Sequence, residues 1–239
     1  KFIVIDSSRN IYSVDKAVVD NEKTGAFVFL HLSNASGLGV RRLVPDEEIK
    51  AGQSLLLAAP ENVFLFNVLS GKNKSAYLLS SDAYSCIFSF NDQESAKSVF
   101  VFNLSGEIIG AVDFQGKQLS SPALAAYWRS LLRNGSLSWP YLGVHYLDLS
   151  AVVSTSSPLD KGVELRGGEG IPAVAKNSPA EKAGLKEGDI ITRVNGTELN
   201  AENDLAVILS SYNPGDSLLL DYVRNGASAQ VELNLGSIK

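Results

Sequence analysis

The sequence of 239 residues contains no methionine, a single cysteine and only two histidines. One cysteine, Cys86, excludes an internal disulfide framework and any cysteine-based zinc site. It stands in an apolar run, where a buried structural thiol is expected rather than a reactive one. Because the two histidines form no HxxxH pattern and no paired carboxylates accompany them, the sequence also argues against a metal hydrolase. We therefore predict no metal site and no cofactor.

Long apolar runs are missing too. No stretch approaches the roughly 18 consecutive apolar residues that a membrane helix needs, and the longest candidates, 26–32 and 55–59, are the size of strands. The sequence starts at Lys1 with neither an initiator methionine nor a signal-peptide pattern. We expect a processed product or a fragment, from which an upstream targeting or anchor segment could be missing.

Clusters of positive charge are absent as well. The net charge is −5, and the longest basic run is the pair Arg41-Arg42. Residues 1–140 carry thirteen acidic and thirteen basic side chains, whereas residues 141–239 carry thirteen acidic and eight basic ones. Because binding to a nucleic-acid phosphate backbone needs clustered basic side chains, we expect no nucleic-acid partner.

The first half of the chain carries short apolar segments separated by turn residues. With 45% hydrophobic and 20% charged residues, the chain is typical of a folded globular protein of one large or two ordinary domains. Strand-like spacing without helical periodicity predicts an all-β sandwich or barrel, built on the segments KFIVID, AFVFLHL, SLLLAA, VFLFNVL, SAYLLS and SVFVF. One helix follows, with Ser121 as its N-cap, Pro122 at its first position and Asn134-Gly135 at its end.

The second half mixes helices and hairpins. Ser178 is predicted to cap a helix with Pro179 at its first position, Glu181 in a capping box and Gly184 at its end. Asn-Gly pairs in VNGTEL and VRNGAS indicate two type I′ hairpins. Between them a helix over about 201–211 is expected, capped by Asn200 or Asn203, and an alternating final strand over 230–235. These features predict a small α/β domain.

Three stretches of this half resemble the PDZ domain of HtrA/Deg-type bacterial serine proteases: YLGV at 141–144, NSPAEKAGLKEGDIITRVNG at 177–196 and NPGDSLLLDYVRNG at 213–226. The Ser- and Gly-rich stretch between Asp148 and Gly170 departs from that pattern. The resemblance implies a PDZ domain over residues 137–239.

A PDZ domain of this kind implies a peptide-binding groove. The backbone N–H groups of Leu142, Gly143 and Val144 would bind a peptide's terminal carboxylate, and the strand 144–147 would be an open edge that a peptide extends. Leu205 and Leu209 could line the pocket or belong to the core, and His145 could contact a peptide or face solvent. The predicted peptide-binding residues are Tyr141, Leu142, Gly143, Val144, His145, Tyr146, Leu205, Ile208 and Leu209.

Residues 1–136 resemble the trypsin-like domain of the same family, in a trimmed form without the first barrel strand and about 25 further residues. The resemblance rests on FIVIDSSRNIYSVDKAVVD, KTGAFVFLHL and ESAKSVFVFNLSGEIIG. It aligns Ala17 with the catalytic histidine, Gly25 with the aspartate and Lys97 with the serine. None of these three side chains can perform the role of the residue that it replaces.

The loop around the former nucleophile also departs from the family, because Ser95 and Ser98 stand where glycines would shape an oxyanion hole. A Ser-Lys dyad using Lys97 would need a depressed lysine pKa, which the neighbouring Asp92 and Glu94 oppose. The resemblance therefore predicts a catalytically inactive serine protease homologue.

We accordingly predict a mainly β chain, with a trypsin-like barrel followed by a small α/β PDZ domain. It would bind C-terminal or extended segments of peptides and unfolded proteins, as a scaffold, a chaperone-like holder or a regulatory partner of an active HtrA-type protease in protein quality control. Two alternatives stay open: a hydrolase with relocated residues, and an architectural barrel in a mixed oligomer. Self-association is left open. The family implies a periplasmic or cell-envelope setting.

Overall fold

The computed structural model describes residues 3–19, 28–33, 35–45, 48–50, 52–58, 63–67, 78–82, 99–112, 118–151 and 159–238. The strands are β1 Ile3–Ile5, β2 Ile11–Val19, β3 Val28–Ser33, β4 Ser54–Ala58, β5 Val63–Asn67, β6 Leu79–Ser80, β7 Val99–Asn103, β8 Ile108–Val112, β9 Gln118–Ser120, β10 Trp139–Tyr141, β11 His145–Asp148, β12 Val163–Leu165, β13 Ile190–Val194, β14 Thr197–Glu198, β15 Ser217–Arg224, β16 Ala227–Asn234 and β17 Gly236–Ile238. The helices are α1 Ser121–Asn134, α2 Pro179–Lys182 and α3 Leu205–Ser210.

The first half forms two antiparallel sheets. One has the order β1-β2-β3 and the other β5-β4-β7-β8-β9. In the second sheet, Leu55, Leu57, Val99 and Val101 alternate inward and are almost fully buried, as expected for strands with one face on the core. The mainly β prediction is confirmed. The described strands do not close into a barrel, however, since none of them pairs one sheet with the other.

Helix α1 packs against the larger sheet. Tyr127 and Trp139 pack in one buried cluster, with their ring centroids 3.8 Å apart and their planes tilted by 59°. The helix ends at Gly135, whose φ of 67° is the left-handed conformation expected of a C-cap glycine. The predicted N-cap is wrong by one residue, because Ser120 takes that position and the Ser121 hydroxyl donates to the Val44 carbonyl oxygen instead.

The second half is built around a sheet with the order β16-β15-β13-β12-β11-β6, with β14 paired to β13. Its two hairpin turns follow the predicted type I′ pattern. Asn195 and Gly196 have φ of 47° and 81°, and Asn225 and Gly226 have φ of 51° and 79°. The final strand is longer than expected, since β16 begins at Ala227.

The short helices start where side chains cap them. Helix α2 follows the predicted cap, because the Ser178 hydroxyl accepts a 3.1 Å hydrogen bond from the Glu181 N–H. Helix α3 is shorter than predicted and is capped by Asp204. The reason is that the Asn200 side chain accepts from the N–H groups of Glu202 and Asn203, which holds residues 200–203 in a turn.

The segment SAYLLS is placed differently from the prediction. We expected it to form a strand of the first domain, but its strand β6 pairs with β11 in the sheet of the second half. The pairing is antiparallel and aligns His145 with Ser80 and Tyr146 with Leu79. A segment from the first half of the chain therefore lies against the second.

Candidate functional site

The loop before β11 is shaped by Gly143. Its φ is +82°, and a Cβ atom there would lie 2.3 Å from the Cβ of Ser178. The carbonyl oxygens of Leu142 and Gly143 accept hydrogen bonds from the N–H groups of Ala180 and Ala175, respectively. Only glycine fits this position, which fixes the direction of the neighbouring N–H groups.

Those N–H groups bind a carboxylate from the same chain. The Leu142 and Gly143 N–H groups donate to Oδ1 of Asp82 at 3.3 and 3.2 Å. The Val144 N–H donates to the Ser81 hydroxyl at 3.1 Å. The backbone groups predicted to bind a peptide carboxylate thus contact Ser81 and Asp82.

Strand β11 is not the open edge that we predicted. Beside the β6 pairing, the Ser81 N–H donates to the Val144 carbonyl oxygen at 2.9 Å. On its other side, β11 pairs with β12. The edge prediction is wrong because the chain supplies its own partner for backbone groups that would otherwise be unpaired.

An apolar cluster lies beneath this strand. Leu142, Val144, Tyr146, Leu205 and Leu209 are all at most 1% exposed and belong to one core cluster. Leu79 and Ile208 are partly buried and pack against the same cluster. Leu205 and Leu209 are therefore buried in the core. Because the same core packs against Leu79 of β6, a role in the core and a role in lining the groove do not exclude each other.

Burial changes the pKa values of two polar side chains beside this loop, Asp82 and Tyr141. Burial raises the pKa of the Asp82 carboxyl, against the opposing effect of hydrogen bonds from Ser81, Gly143 and Leu142. Burial and the nearby Asp82 charge raise the pKa of Tyr141. His145 lies directly beside Ser80 in the register, and its Nδ1 is 2.9 Å from the Pro172 carbonyl oxygen.

The PDZ domain family matches residues 140–235, which include this loop, β11 and α3. The Serine protease Do-like HtrA of Lactococcus lactis subsp. cremoris is 31% identical over 150 residues, covering 56% of this chain and 37% of the relative. A Probable periplasmic serine endoprotease DegP-like protein of Ectopseudomonas mendocina is 26% identical over 220 residues, covering 84% of this chain and 44% of the relative. The chain thus spans less than half the length of these curated relatives.

Solved structures share the fold. The HtrA-type protease AlgW with a tripeptide superimposes with a TM-score of 0.55 at 17% identity, covering 99% of this chain and 81% of that one. AlgW with a decapeptide gives a TM-score of 0.54 at 18% identity, covering 99% and 75%. The likeness therefore runs through both halves of the chain.

The PDZ match, the HtrA and DegP-like relatives and the shared fold together support an HtrA-type family. Of the three positions that the resemblance aligns with the catalytic triad, the structure describes one. Ala17 lies exposed on β2, opposite Leu30 of β3. Gly25 and Lys97 lie outside the described residues, as do Ser95 and Ser98.

The described residues include a histidine–aspartate pair. Nδ1 of His31 on β3 lies 2.6 Å from Oδ1 of Asp15 on β2, and both side chains are largely exposed. Among the described residues, no serine hydroxyl forms a hydrogen bond with the other ring nitrogen. Sequence reasoning missed the pair because a register shift between Val14 and Lys16 decides which side chain of β2 meets His31.

Within the described ranges, no group of three or more histidine, cysteine, aspartate and glutamate side chains could hold a metal ion. No helix in the described part of the chain is long and apolar enough to cross a membrane.

Sequence reasoning also missed Leu79, Ser81 and Asp82 as groove residues. The stretch LLSSD combines a short apolar segment with a polar end, which any surface strand could share. Nothing in the sequence links it to a loop that follows 60 residues later.

Proposed function

We propose that this HtrA-type protein does not cleave its ligands and that it binds extended, carboxylate-bearing peptide segments in the groove between β11 and α3. One observation carries the proposal: two successive N–H groups, of Leu142 and Gly143, converge on a single carboxylate oxygen next to a strand that accepts an added partner. Added strand pairing supplies affinity in such grooves, and the carboxylate contact fixes the register.

The predicted groove residues have distinct roles in this proposal. Leu142, Gly143 and Val144 provide the N–H donors, and β11 with His145 and Tyr146 provides the pairing edge. Tyr141 flanks the carboxylate, while Leu205, Ile208 and Leu209 form the apolar wall. The AlgW structures that share this fold contain a tripeptide or a decapeptide, which is consistent with the proposal.

We infer that the protein does not cleave peptides from the residues aligned with the catalytic triad, Ala17, Gly25 and Lys97. A serine nucleophile needs a base to accept its proton, and the base needs an orienting acceptor. Alanine and glycine carry neither group. Peptides and the C-termini of unfolded proteins are the proposed ligands, with an active HtrA-type protease as a further partner and an extracytoplasmic location as in the DegP-like relatives.

The binding proposal can be tested with fluorescein-labelled heptapeptides that end in a free carboxylate, each compared with its C-terminal amide. We expect free-acid peptides to bind the full chain at least tenfold more tightly than their amides. Gly143→Ala should reduce this binding about tenfold or more, because the new Cβ meets Ser178. Fluorescence polarisation gives the affinities, and circular dichroism confirms that the variant is folded.

Gly170→Ala is the matched control for that variant. Gly170 has a φ of +73°, but a Cβ there meets no atom within 4 Å. The control therefore carries a similar backbone strain without the clash against Ser178, and we expect it to bind peptides like the wild type. If no peptide binds the folded wild type, at concentrations that would also reveal weak binding, the proposal is wrong.

The His31–Asp15 pair favours one second candidate, a hydrolase with relocated residues. An oriented histidine could act as a general base towards a serine outside the described residues. A fluorophosphonate probe and a casein cleavage assay separate the two proposals. Covalent labelling that disappears in His31→Ala would support the hydrolase, and unlabelled, inactive protein would support a binding function.

Assembly with a protease partner needs its own experiment. Native mass spectrometry of the chain alone shows whether it associates with itself. The same measurement with an active HtrA-type paralogue tests the mixed oligomer. Only masses of the separate chains would argue against both kinds of assembly.

A further inference from the structure

Residues 78–82, which we name the docked segment, lie in the groove in the orientation of a bound peptide. The segment runs antiparallel to β11, with Leu79 opposite Tyr146 and Ser80 opposite His145. It then reaches the Gly143 loop with the Asp82 carboxylate. The chain continues beyond this point, so the carboxylate comes from a side chain and not from a chain end.

The contacts of the segment are those of a ligand along its whole length. Leu79 packs against the apolar cluster of the second half, and Leu78 lies next to Gly168, where a Cβ atom would come within 3.0 Å of the leucine. Ser81 is 1% exposed and exchanges two hydrogen bonds with Val144. Apolar, hydroxyl and carboxylate groups are thus each matched by the groove.

We propose that the docked segment is an internal ligand of the groove, and that the groove therefore recognises internal strand segments with an apolar residue three positions before an aspartate. The proposal rests on the peptide-binding function proposed above and adds a ligand class and a regulation to it. An external peptide must displace the docked segment before it binds. Its apparent affinity is then the intrinsic affinity multiplied by the fraction of molecules whose groove is open.

Covalent attachment explains how a segment of modest affinity can occupy the groove. Asp82 precedes Leu142 by 60 residues in the same chain, so the effective concentration of the segment is set by the fold and not by diffusion. Burial raises the pKa of Asp82, which means that the ionised side chain is docked at a cost in free energy. Attachment opposes displacement by a free peptide, whereas the cost of burying the Asp82 charge favours it.

The direct test uses a labelled peptide that copies residues 75–85, acetylated and amidated so that the aspartate side chain is its only carboxylate. It is titrated into the full-length chain as wild type, as Asp82→Ala and as Asp160→Ala. We expect Asp82→Ala to bind the probe about tenfold more tightly than the wild type, since the internal carboxylate no longer competes. Asp160 is an exposed aspartate before β12, and its variant should match the wild type.

The probe carrying its own Asp82→Ala change should bind the Asp82→Ala chain at least tenfold more weakly. Equal binding of the unchanged probe to wild type and Asp82→Ala would overturn the internal ligand. If free-acid heptapeptides bind but the blocked probe binds no variant, recognition of an internal aspartate is wrong while the proposed peptide-binding function stands. If neither class of peptide binds, the proposed function itself fails.

A disulfide across the β6–β11 pair tests docking independently of the carboxylate. In a Cys86→Ser background, Ser80→Cys and His145→Cys place two thiols at directly paired positions. The oxidised protein should bind free-acid peptides at least tenfold more weakly than the same protein after reduction. Ser217→Cys with Asn234→Cys, an exposed pair between β15 and β16, is the matched control, and its oxidation should leave binding unchanged.

Failure of the first pair to form a disulfide, in protein whose control pair does form one, would contradict docking in solution. A disulfide that forms without lowering peptide binding would show that the docked segment does not occupy the peptide site. Either result overturns the internal ligand.

Discussion

Asp204 is a buried carboxylate with two structural tasks. It caps α3 by accepting a 2.9 Å hydrogen bond from the Ala206 N–H, and it accepts the Tyr146 hydroxyl at 3.0 Å. Burial raises the pKa of Asp204, although both hydrogen bonds favour its ionised form. Burial also raises the pKa of Tyr146 well above its ordinary value, so this hydroxyl stays a donor. The wall of the groove therefore contains an aspartate whose ionisation opposes folding.

That pKa predicts the pH dependence of Asp204→Asn. A carboxyl whose pKa is raised on folding contributes stability below its unfolded pKa, and this contribution is lost as the pH rises through the folded pKa. Asparagine keeps a capping oxygen but cannot ionise. We therefore expect the free energy of unfolding of the variant, relative to the wild type, to rise as the pH increases above about 4, the ordinary pKa of an aspartate.

Urea unfolding at a series of pH values measures this difference. Asp160→Asn, at an exposed aspartate, serves as the control for removing a carboxyl group. A flat curve for Asp204→Asn would show that burial does not penalise the Asp204 charge.

At the scale of elements, the two N-caps of α1 and α2 differ in a way that can be measured. Ser178 is 0% exposed, and its hydroxyl accepts the Glu181 N–H. Ser120 occupies the same position of α1 but makes no side-chain cap hydrogen bond. The Ser178 side chain also lies against Gly143, so the start of α2 is coupled to the shape of the groove.

We predict that Ser178→Ala lowers the free energy of unfolding by about 1 kcal/mol, the usual cost of losing a capping side chain. Ser120→Ala should lower it by less than about 0.5 kcal/mol, because no cap hydrogen bond is lost. Equilibrium unfolding in urea compares the two variants. Equal losses would show that the cap hydrogen bond of Ser178 does not contribute to the free energy of unfolding.

Several elements could be predicted from local patterns. Short apolar segments bounded by turn residues located β4 and β7, and alternation of apolar residues located β16. The Asn-Gly pairs located both hairpin turns, because a type I′ turn needs two positive φ angles. The boundaries of α3 were harder. Asn200 and Asp204 are both good caps, and only the turn over 200–203 decides which of them starts the helix.

At the scale of the whole molecule, α1 connects the two halves. One Nη of Arg129 donates to the Ser210 carbonyl oxygen at the end of α3, and Arg133 lies 3.4 Å from the Asp216 carboxylate. Strands β10 and β17 pair beside this contact. The helix that follows the first half is thereby attached to the helix that borders the groove.

Arg129→Ala should lower the free energy of unfolding by about 1–2 kcal/mol, since it leaves the Ser210 carbonyl oxygen without this donor. Arg133→Ala should cost less than about 0.5 kcal/mol, because its ion pair is exposed and screened by water. Chemical denaturation of the two variants tests the difference. A larger loss for Arg133→Ala would reverse the assigned importance of the two contacts.

Local sequence patterns were enough to predict the mainly β character, the cap of α2, both Asn-Gly turns and the resemblance that marks Gly143 and its neighbours. Each of these depends on side chains within a few residues of one another. Three features were visible only after folding: β6 joins the sheet of the second half, Asp82 accepts from the Leu142 and Gly143 N–H groups, and His31 contacts Asp15. Such contacts join distant parts of the chain, and their register follows from packing that no local pattern encodes.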